Sequence, residues 1–174
     1  RIVAIVYPDS TSSHFAWNRL DLTSKTDRQG NTSRFDYDAE RNLVAITDPL
    51  GRVTRYGYYP NGTRHTMTDP SGNVTTWTRD LEGRVTAKTY ADGSGTTSTF
   101  DNSSRLAGLT DALGQTTAFS YDRADLLTGI QYAHAVYPTA PVAYAYDPYY
   151  PRLVSMSDEL GTTQFSYVLA GQPG

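Results

Sequence analysis

The sequence predicts an all-β fold, an array of antiparallel β-hairpins joined edge to edge into a curved, continuous sheet. Three observations predict it. Glycines recur every 21 residues, at Gly30, Gly51, Gly72, Gly93 and Gly114. A fixed period of that length marks a repeat array rather than one domain around one active site. Between the glycines, stretches rich in Thr and aromatics alternate with turn sequences, which is the pattern of short strands. The charged composition disfavours helix, with 15 Asp against 3 Glu and only 2 Lys. Asp favours turns, whereas Glu and Lys favour helix interiors.

With each glycine as position zero, a first strand carries aromatics at positions five and seven. These are Phe35 and Tyr37, Tyr56 and Tyr58, Trp77 alone, Phe100 alone, and Phe119 and Tyr121. Two residues apart on a strand, both rings point to one face. A turn follows, such as Tyr59-Pro60-Asn61-Gly62 or Asp80-Leu81-Glu82-Gly83. A second strand comes next, for example Asn42 to Thr47, with apolar residues favoured at positions thirteen and sixteen. Asp48-Pro49-Leu50-Gly51 and Asp69-Pro70-Ser71-Gly72 then close their units. Asp-Pro-x-Gly is a type I turn signature: Asp bonds forward to the backbone, Pro presets φ, and Gly tolerates the exit. The turn residues that matter here are therefore Asp48, Pro49, Gly51, Asp69, Pro70 and Gly72.

The register extends to both ends with irregular spacing. Phe15 and Trp17 supply the aromatic pair of a unit one residue short, and Tyr144 and Tyr146 follow a longer one. The expected repeats are 10–29, 30–50, 51–71, 72–92, 93–113, 114–138 and 139–160, with partial repeats at 1–9 and 161–174. The chain thus reads as a stretch of a longer protein. The segment from Ala133 to Pro141 holds the extra residues and two prolines. Prolines interrupt a ladder, so this segment is a long loop at one rim.

Positions thirteen and sixteen differ in parity, so they share a face only if a bulge intervenes; otherwise both faces are partly buried. One hairpin is marginal in water, so neighbouring repeats must pair and stabilise each other across their interfaces. About sixteen strands at roughly 4.8 Å spacing make a strip about 75 Å wide and, at about seven residues per strand, roughly 24 Å tall. A sheet that wide twists or curls.

Chemistry is sparse. Net charge is −3 and there is no cysteine, which leaves no basic stripe for nucleic acid and no disulfide or thiolate metal site. No apolar run reaches membrane-spanning length. His14, His65 and His134 occupy unrelated repeat positions, without metal-ligand spacing. The aspartates recur in columns, as turn formers and strand ends do. A catalytic carboxylate pair would stand in one special place. Gly93-Ser94-Gly95 lacks the following helix of a phosphate loop. The Asn-x-Ser/Thr sequons at Asn31, Asn61, Asn73 and Asn102 matter only in a eukaryotic secretory route. No catalytic, cofactor or metal residue is assigned. The aromatic columns read first as packing ribs and second as a surface for glycans or a receptor. Tyr149 and Tyr150, in a Pro-bounded turn, are expected to be exposed and open to a contact role.

These residues resemble YD repeats. Phe35-Asp36-Tyr37-Asp38, then Arg41-Asn42-Leu43 and Asp48-Pro49-Leu50-Gly51, is one close match; Phe119-Ser120-Tyr121-Asp122 is another, and Gly83-Arg84-Val85 gives the turn. The resemblance covers nearly the whole chain and points to the Rhs family, with insecticidal Tc toxin C components, wall-associated toxins and teneurins among its relatives. Arg79, Ser98 and Tyr59 depart from the pattern. The resemblance implies a non-enzymatic segment of a hollow β-shell that encloses a C-terminal toxin domain, from a protein exported or displayed at the cell surface. It implies as partners the adjacent repeats, the enclosed toxin domain and secretion-system components. Some relatives cleave themselves near the shell's end, but no such terminal motif is found here, so no catalytic residue is carried over. The alternative is a cell-surface repeat module that binds carbohydrate or a receptor.

Overall fold

The structure, a computed structural model, describes residues 1–168. The last six residues of the expected terminal partial repeat, 169–174, lie outside the described residues. The described residues form sixteen strands and no helix. The chain divides into two compact units, 1–93 and 94–174. The first holds β1 (Ala4–Val6), β2 (Ser12–Asn18), β3 (Asp21–Thr26), β4 (Thr32–Tyr37), β5 (Leu43–Thr47), β6 (Val53–Tyr58), β7 (Arg64–Thr68), β8 (Val74–Arg79) and β9 (Val85–Thr89). The second holds β10 (Gly95–Phe100), β11 (Leu106–Thr110), β12 (Thr116–Tyr121), β13 (Leu127–Ala133), β14 (Val142–Tyr146), β15 (Leu153–Asp158) and β16 (Gly161–Gln164). Within each unit every strand pairs antiparallel with its neighbour in the chain. The fold is an up-and-down array of hairpins, as the sequence predicts.

The 21-residue period is a strand pair. β4, β6, β8, β10 and β12 begin at Thr32, Val53, Val74, Gly95 and Thr116, one period apart. Most strands run five or six residues, shorter than the seven assumed for the height. The short early unit takes its deficit in a tight hairpin, where Asn18 pairs with Asp21 across Arg19 and Leu20. Of the expected rim loop, Ala133 ends β13 and pairs with Thr116, and residues 134–141 lie between β13 and β14.

A bulge resolves the parity of positions thirteen and sixteen. In the hairpin of β4 and β5, Phe35 pairs with Ile46 and Asp36 with Ala45, but Tyr37 pairs with Leu43. Val44 is the extra residue. The same shift occurs at Gly57/Tyr58, Thr78/Arg79, Thr99/Phe100, Ser120/Tyr121 and Ala145/Tyr146. Directly paired residues share a face. The bulge therefore brings both apolar columns of the second strand onto the aromatic face.

The other face is steric in character. Just before each bulge, one of the two paired residues is Gly or Ala. The pairs are Asp36–Ala45, Gly57–Thr66, Thr78–Ala87, Thr99–Gly108, Ser120–Gly129 and Ala145–Ser155. A Cβ on Gly57 would lie 2.5 Å from Thr66 Oγ1, one on Gly108 2.7 Å from Thr99 Oγ1, and one on Gly129 2.8 Å from Ser120 Oγ. The small residue stands on either strand, so the constraint belongs to the pair.

No hydrophobic side chain among the described residues is buried; only Ser13 and Thr75 are. The accessible surface is 12235 Å², whereas a folded monomer of 19.2 kDa exposes about 8,400 Å². Within each unit the described strands therefore make one layer of sheet, with no second layer packed on it among the described residues. Stability comes from ladders and from side chains covering one another along the aromatic face.

The pair constraint is testable by urea unfolding. Gly57→Ala is expected to destabilise by about 1–3 kcal/mol through overpacking. Gly57→Thr combined with Thr66→Gly reproduces the Thr99–Gly108 arrangement and is expected to recover most of that loss.

Candidate functional site

The sequence-selected aromatics line one face. Phe35, Tyr37, Tyr56, Tyr58, Trp77, Phe100, Phe119, Tyr121, Tyr144 and Tyr146 are all half-buried, while residues between the paired rings, such as Asp36, Thr99 and Ser120, are exposed. Position seven does more than pack. Tyr58 Oη donates to Leu43 O at 2.7 Å, Tyr121 Oη to Leu106 O at 3.0 Å, Tyr146 Oη to Leu127 O at 3.0 Å and Tyr167 Oη to Leu153 O at 2.6 Å. Trp17 Nε1 donates to Ile2 O at 2.9 Å in the same way. Where β5 meets β6, the ladder ends at the Ala45–Arg55 pair, so the Leu43 carbonyl at the bulge lies beyond it. The phenol of the next repeat supplies its donor.

Where aliphatic residues give way on this face, cations replace them. The Arg64 guanidinium lies 4.7 Å from the Tyr56 ring and 6.0 Å from Trp77. Lys88 Nζ lies 5.8 Å from Trp77 and 4.6 Å from Tyr90. Rings and cations thus alternate across β6 to β9 and its following turn, with cation–π attraction standing in for apolar contact. Ring quadrupoles make this substitution tolerable where a lone charge would not be.

The turns share one geometry at both rims. In Asp48-Pro49-Leu50-Gly51, Gly51 N donates to Asp48 O and Asp48 N to Arg52 O, both at 2.9 Å. Asp48 Oδ1 accepts from Leu50 N and Arg52 N, both at 2.9 Å. Asp69 does the same for Ser71 N and Asn73 N at 2.8 and 2.9 Å. Asp80, Asp101 and Asp122 repeat it at the other set of turns. The residue leaving each turn is left-handed: Gly51 at φ 79° and Gly72 at φ 89°, but Arg41 at 68°, Ser104 at 63° and Asp125 at 63°. Pro49, Pro70 and both glycines are exposed, and Asp48 and Asp69 half-buried. Tyr59 in the aspartate column is accommodated differently. Its turn uses Asn61 Oδ1 to accept from Thr63 N and Thr63 Oγ1 at 3.1 and 2.7 Å, and Asp9 serves Thr11 likewise.

A further column escaped the sequence reading. The residue four beyond the aspartate reaches back to its second oxygen. Asn31 bonds Asp27, Asn42 bonds Asp38, Asn73 bonds Asp69 and Gln115 bonds Asp111 at 2.7–3.0 Å. Arg52, Arg84 and Arg105 pair with Asp48, Asp80 and Asp101 at 2.6–2.8 Å. Asp-x-x-x-Arg/Asn/Gln was visible as a spacing, but Arg, Asn and Gln do not look alike unless one asks which side chains donate. These donors hold the carboxyls of Asp69, Asp27 and Asp101 below the ordinary aspartate value of 3.8; for Asp69 the Asn73 side chain contributes most, then the backbone of Asn73.

The histidines are not gathered into a site. His14 Nε2 meets Ser12 Oγ at 2.9 Å, His65 lies against Tyr59 at 4.4 Å, and His134 sits in the rim loop at φ 55°. Among the described residues no group of three His, Asp or Glu could hold a metal ion. Among the described residues the arrangement is one of paired backbones, capped carbonyls and braced turns.

Two outcomes follow. Tyr58→Phe keeps the ring and strands the Leu43 carbonyl, so it is expected to cost about 1 kcal/mol in urea unfolding. The turn carboxylates have lowered folded pKa values, so their stabilisation is present above the unfolded value of 3.8 and is lost as pH falls through the folded values. Thermal midpoints should therefore hold level above about pH 5 and fall below about pH 4. A variant carrying Asp69→Asn should show a shallower fall.

The comparisons with known proteins agree with this geometry. The family model described as RHS Repeat matches residues 17–53, 58–94 and 100–135, together more than half of the chain. No curated protein matches the sequence. Among solved structures, TcdB2–TccC3 without its hypervariable C-terminal region matches with a TM-score of 0.68 at 14% identity, over 90% of this chain and 10% of that one. The TcdB2–TccC3–Cdc42 structure gives 0.67 at 14% identity, over 91% and 10%. A mutant Photorhabdus luminescens Tc holotoxin pore gives 0.67 at 13% identity, over 91% and 10%. At such identity the likeness is one of fold, and this chain spans about a tenth of the length of those it matches. Repeat period, strand pairing and family match converge: the chain belongs to the RHS repeat family.

Proposed function

We propose that this chain is a wall segment of a β-shell that encloses a C-terminal toxin domain for delivery to competing or host cells, from an exported or surface-displayed protein. One observation carries the reading. Within each unit the sheet has an aromatic face with half-buried rings, and no described residue forms a second layer over it. Such a face needs either a further wall or contents behind it. The Tc toxin chains of like fold support the same reading, since they are about ten times longer and one of them is described as lacking a hypervariable C-terminal region.

In this role the chain does no chemistry. Backbone ladders make the wall continuous, bulges with their tyrosine caps hold the aromatic columns on one side, and aspartate turns finish the rims. Its partners are the neighbouring repeats, the enclosed toxin domain and the components that deliver the shell. No helix among the described residues is long and apolar enough to cross a membrane.

Electron microscopy of the full-length protein tests the proposal. A hollow shell with density inside it is expected. A solid globule, a propeller or an extended open ribbon would refute it.

A further inference from the structure

Two departures from the repeat meet in one cleft of the second unit. The first is at Asp122. The aspartates at 27, 38, 48, 69, 80, 101, 111 and 147 each have a side-chain donor on Oδ2. Asp122 has Leu126 four residues on; its Oδ1 holds Ala124 N and Leu126 N at 2.8 and 2.9 Å, and no described residue donates to its Oδ2. The second departure is the turn Asp147-Pro148-Tyr149-Tyr150-Pro151, which is one residue longer than its counterparts. Asp147 Oδ1 takes Tyr149 N and Tyr150 N at 2.9 and 3.2 Å, so the turn holds its two rings on a braced backbone.

Between these turns lies a cleft of about 500 Å³ lined by Asp122, Thr128, Tyr144, Tyr146, Tyr149 and Tyr150, among others. Tyr149 is 87% exposed and Tyr150 59%. Exposed apolar tips also occur at Leu50, Leu81 and Leu113, so exposure alone is not the signal. The cleft differs from those tips in pairing rings on a braced turn with an unclaimed carboxylate oxygen. The repeat's own function needs neither feature.

We propose that this cleft binds a pyranose residue of a neutral oligosaccharide. The C–H face of a pyranose packs on a tyrosine ring, and its hydroxyls donate to a carboxylate in short, charge-assisted bonds. Tyr149 supplies the platform and Asp122 the acceptor, while Tyr146 Oη and Thr128 Oγ1, which already donate to Leu127 O and Ser120 Oγ, can only accept from the sugar. The unclaimed carboxylate makes an anionic ligand unfavourable. A proline-rich peptide would suit the rings but offers Asp122 no hydroxyl. The proposal does not depend on the shell reading, because the cleft lies within one unit.

Saturation-transfer NMR and calorimetry on the full-length chain test it, with cellotetraose, mannotetraose and chitotetraose as separate probes. Binding of at least one is expected, weakened about tenfold or more by Tyr149→Ala and by Asp122→Asn. Asp122→Asn retains the oxygen that accepts from Ala124 N and Leu126 N, so the turn survives it. Tyr149→Trp should retain binding, and Leu113→Ala, at a tip outside the cleft, should leave it unchanged. If no oligosaccharide binds, if only a proline-rich or lysine-rich peptide does, or if Leu113→Ala weakens binding as much as Tyr149→Ala, the proposal is wrong.

Discussion

One extra residue, inserted opposite position seven in seven of the hairpins, governs this sheet. A regular ladder would set positions thirteen and sixteen on opposite faces. Val44 and its counterparts shift the register, so Leu43 and Ile46 both face the rings of Tyr37 and Phe35. The shift also takes a carbonyl out of the ladder at each bulge. An uncapped carbonyl in a half-buried place costs about 1–3 kcal/mol. At four of these bulges a tyrosine from the following repeat answers it: Tyr58 for Leu43, Tyr121 for Leu106, Tyr146 for Leu127 and Tyr167 for Leu153. At those bulges one repeat is incomplete without the next. This coupling adds stability where, among the described residues, no hydrophobic side chain is buried.

The rims follow a second rule of the same kind. A turn leaves backbone N–H groups pointing at the residue that opens it. An aspartate at that residue accepts two of them with one oxygen and engages a donor side chain with the other. Tyr-Pro-Asx turns reach the same backbone geometry by moving the acceptor two residues along, as Asn61 and Asp9 show. Left-handed exits at Arg41, Ser104 and Asp125 show that the turn bonds outweigh the roughly 1 kcal/mol or more that such a conformation costs a non-glycine residue. Tyrosine at position seven and aspartate at position eight are thus adjacent in sequence but serve different hydrogen-bond deficits, one at a bulge and one at a turn.

The two faces of the sheet carry different residues. Rings, aliphatics and cation–π pairs occupy one face, and small-against-polar pairs the other. Where the repeat breaks these rules without loss of the strands, at Asp122 and at the turn holding Tyr149, the departures are free to serve recognition.

The sequence by itself determined the all-β class, the hairpin period, the aromatic face and the aspartate turns. Each rests on local physics: residue spacing on a strand, fixed proline φ, and side chains bonding their own backbone a few residues away. Tertiary structure alone decided between a bulge and two half-buried faces, because parity in one strand has no meaning until its partner's register is known. It also revealed the Gly57–Thr66 type of pair, where neither residue is constrained unless the other is opposite. The donor column of Arg, Asn and Gln was legible only in part, since residues unlike in sequence become equivalent once each is seen reaching the same carboxylate oxygen. The phenol-to-carbonyl bonds were not legible at all, because donor and acceptor commonly stand 15 residues apart and meet only when adjacent hairpins pair.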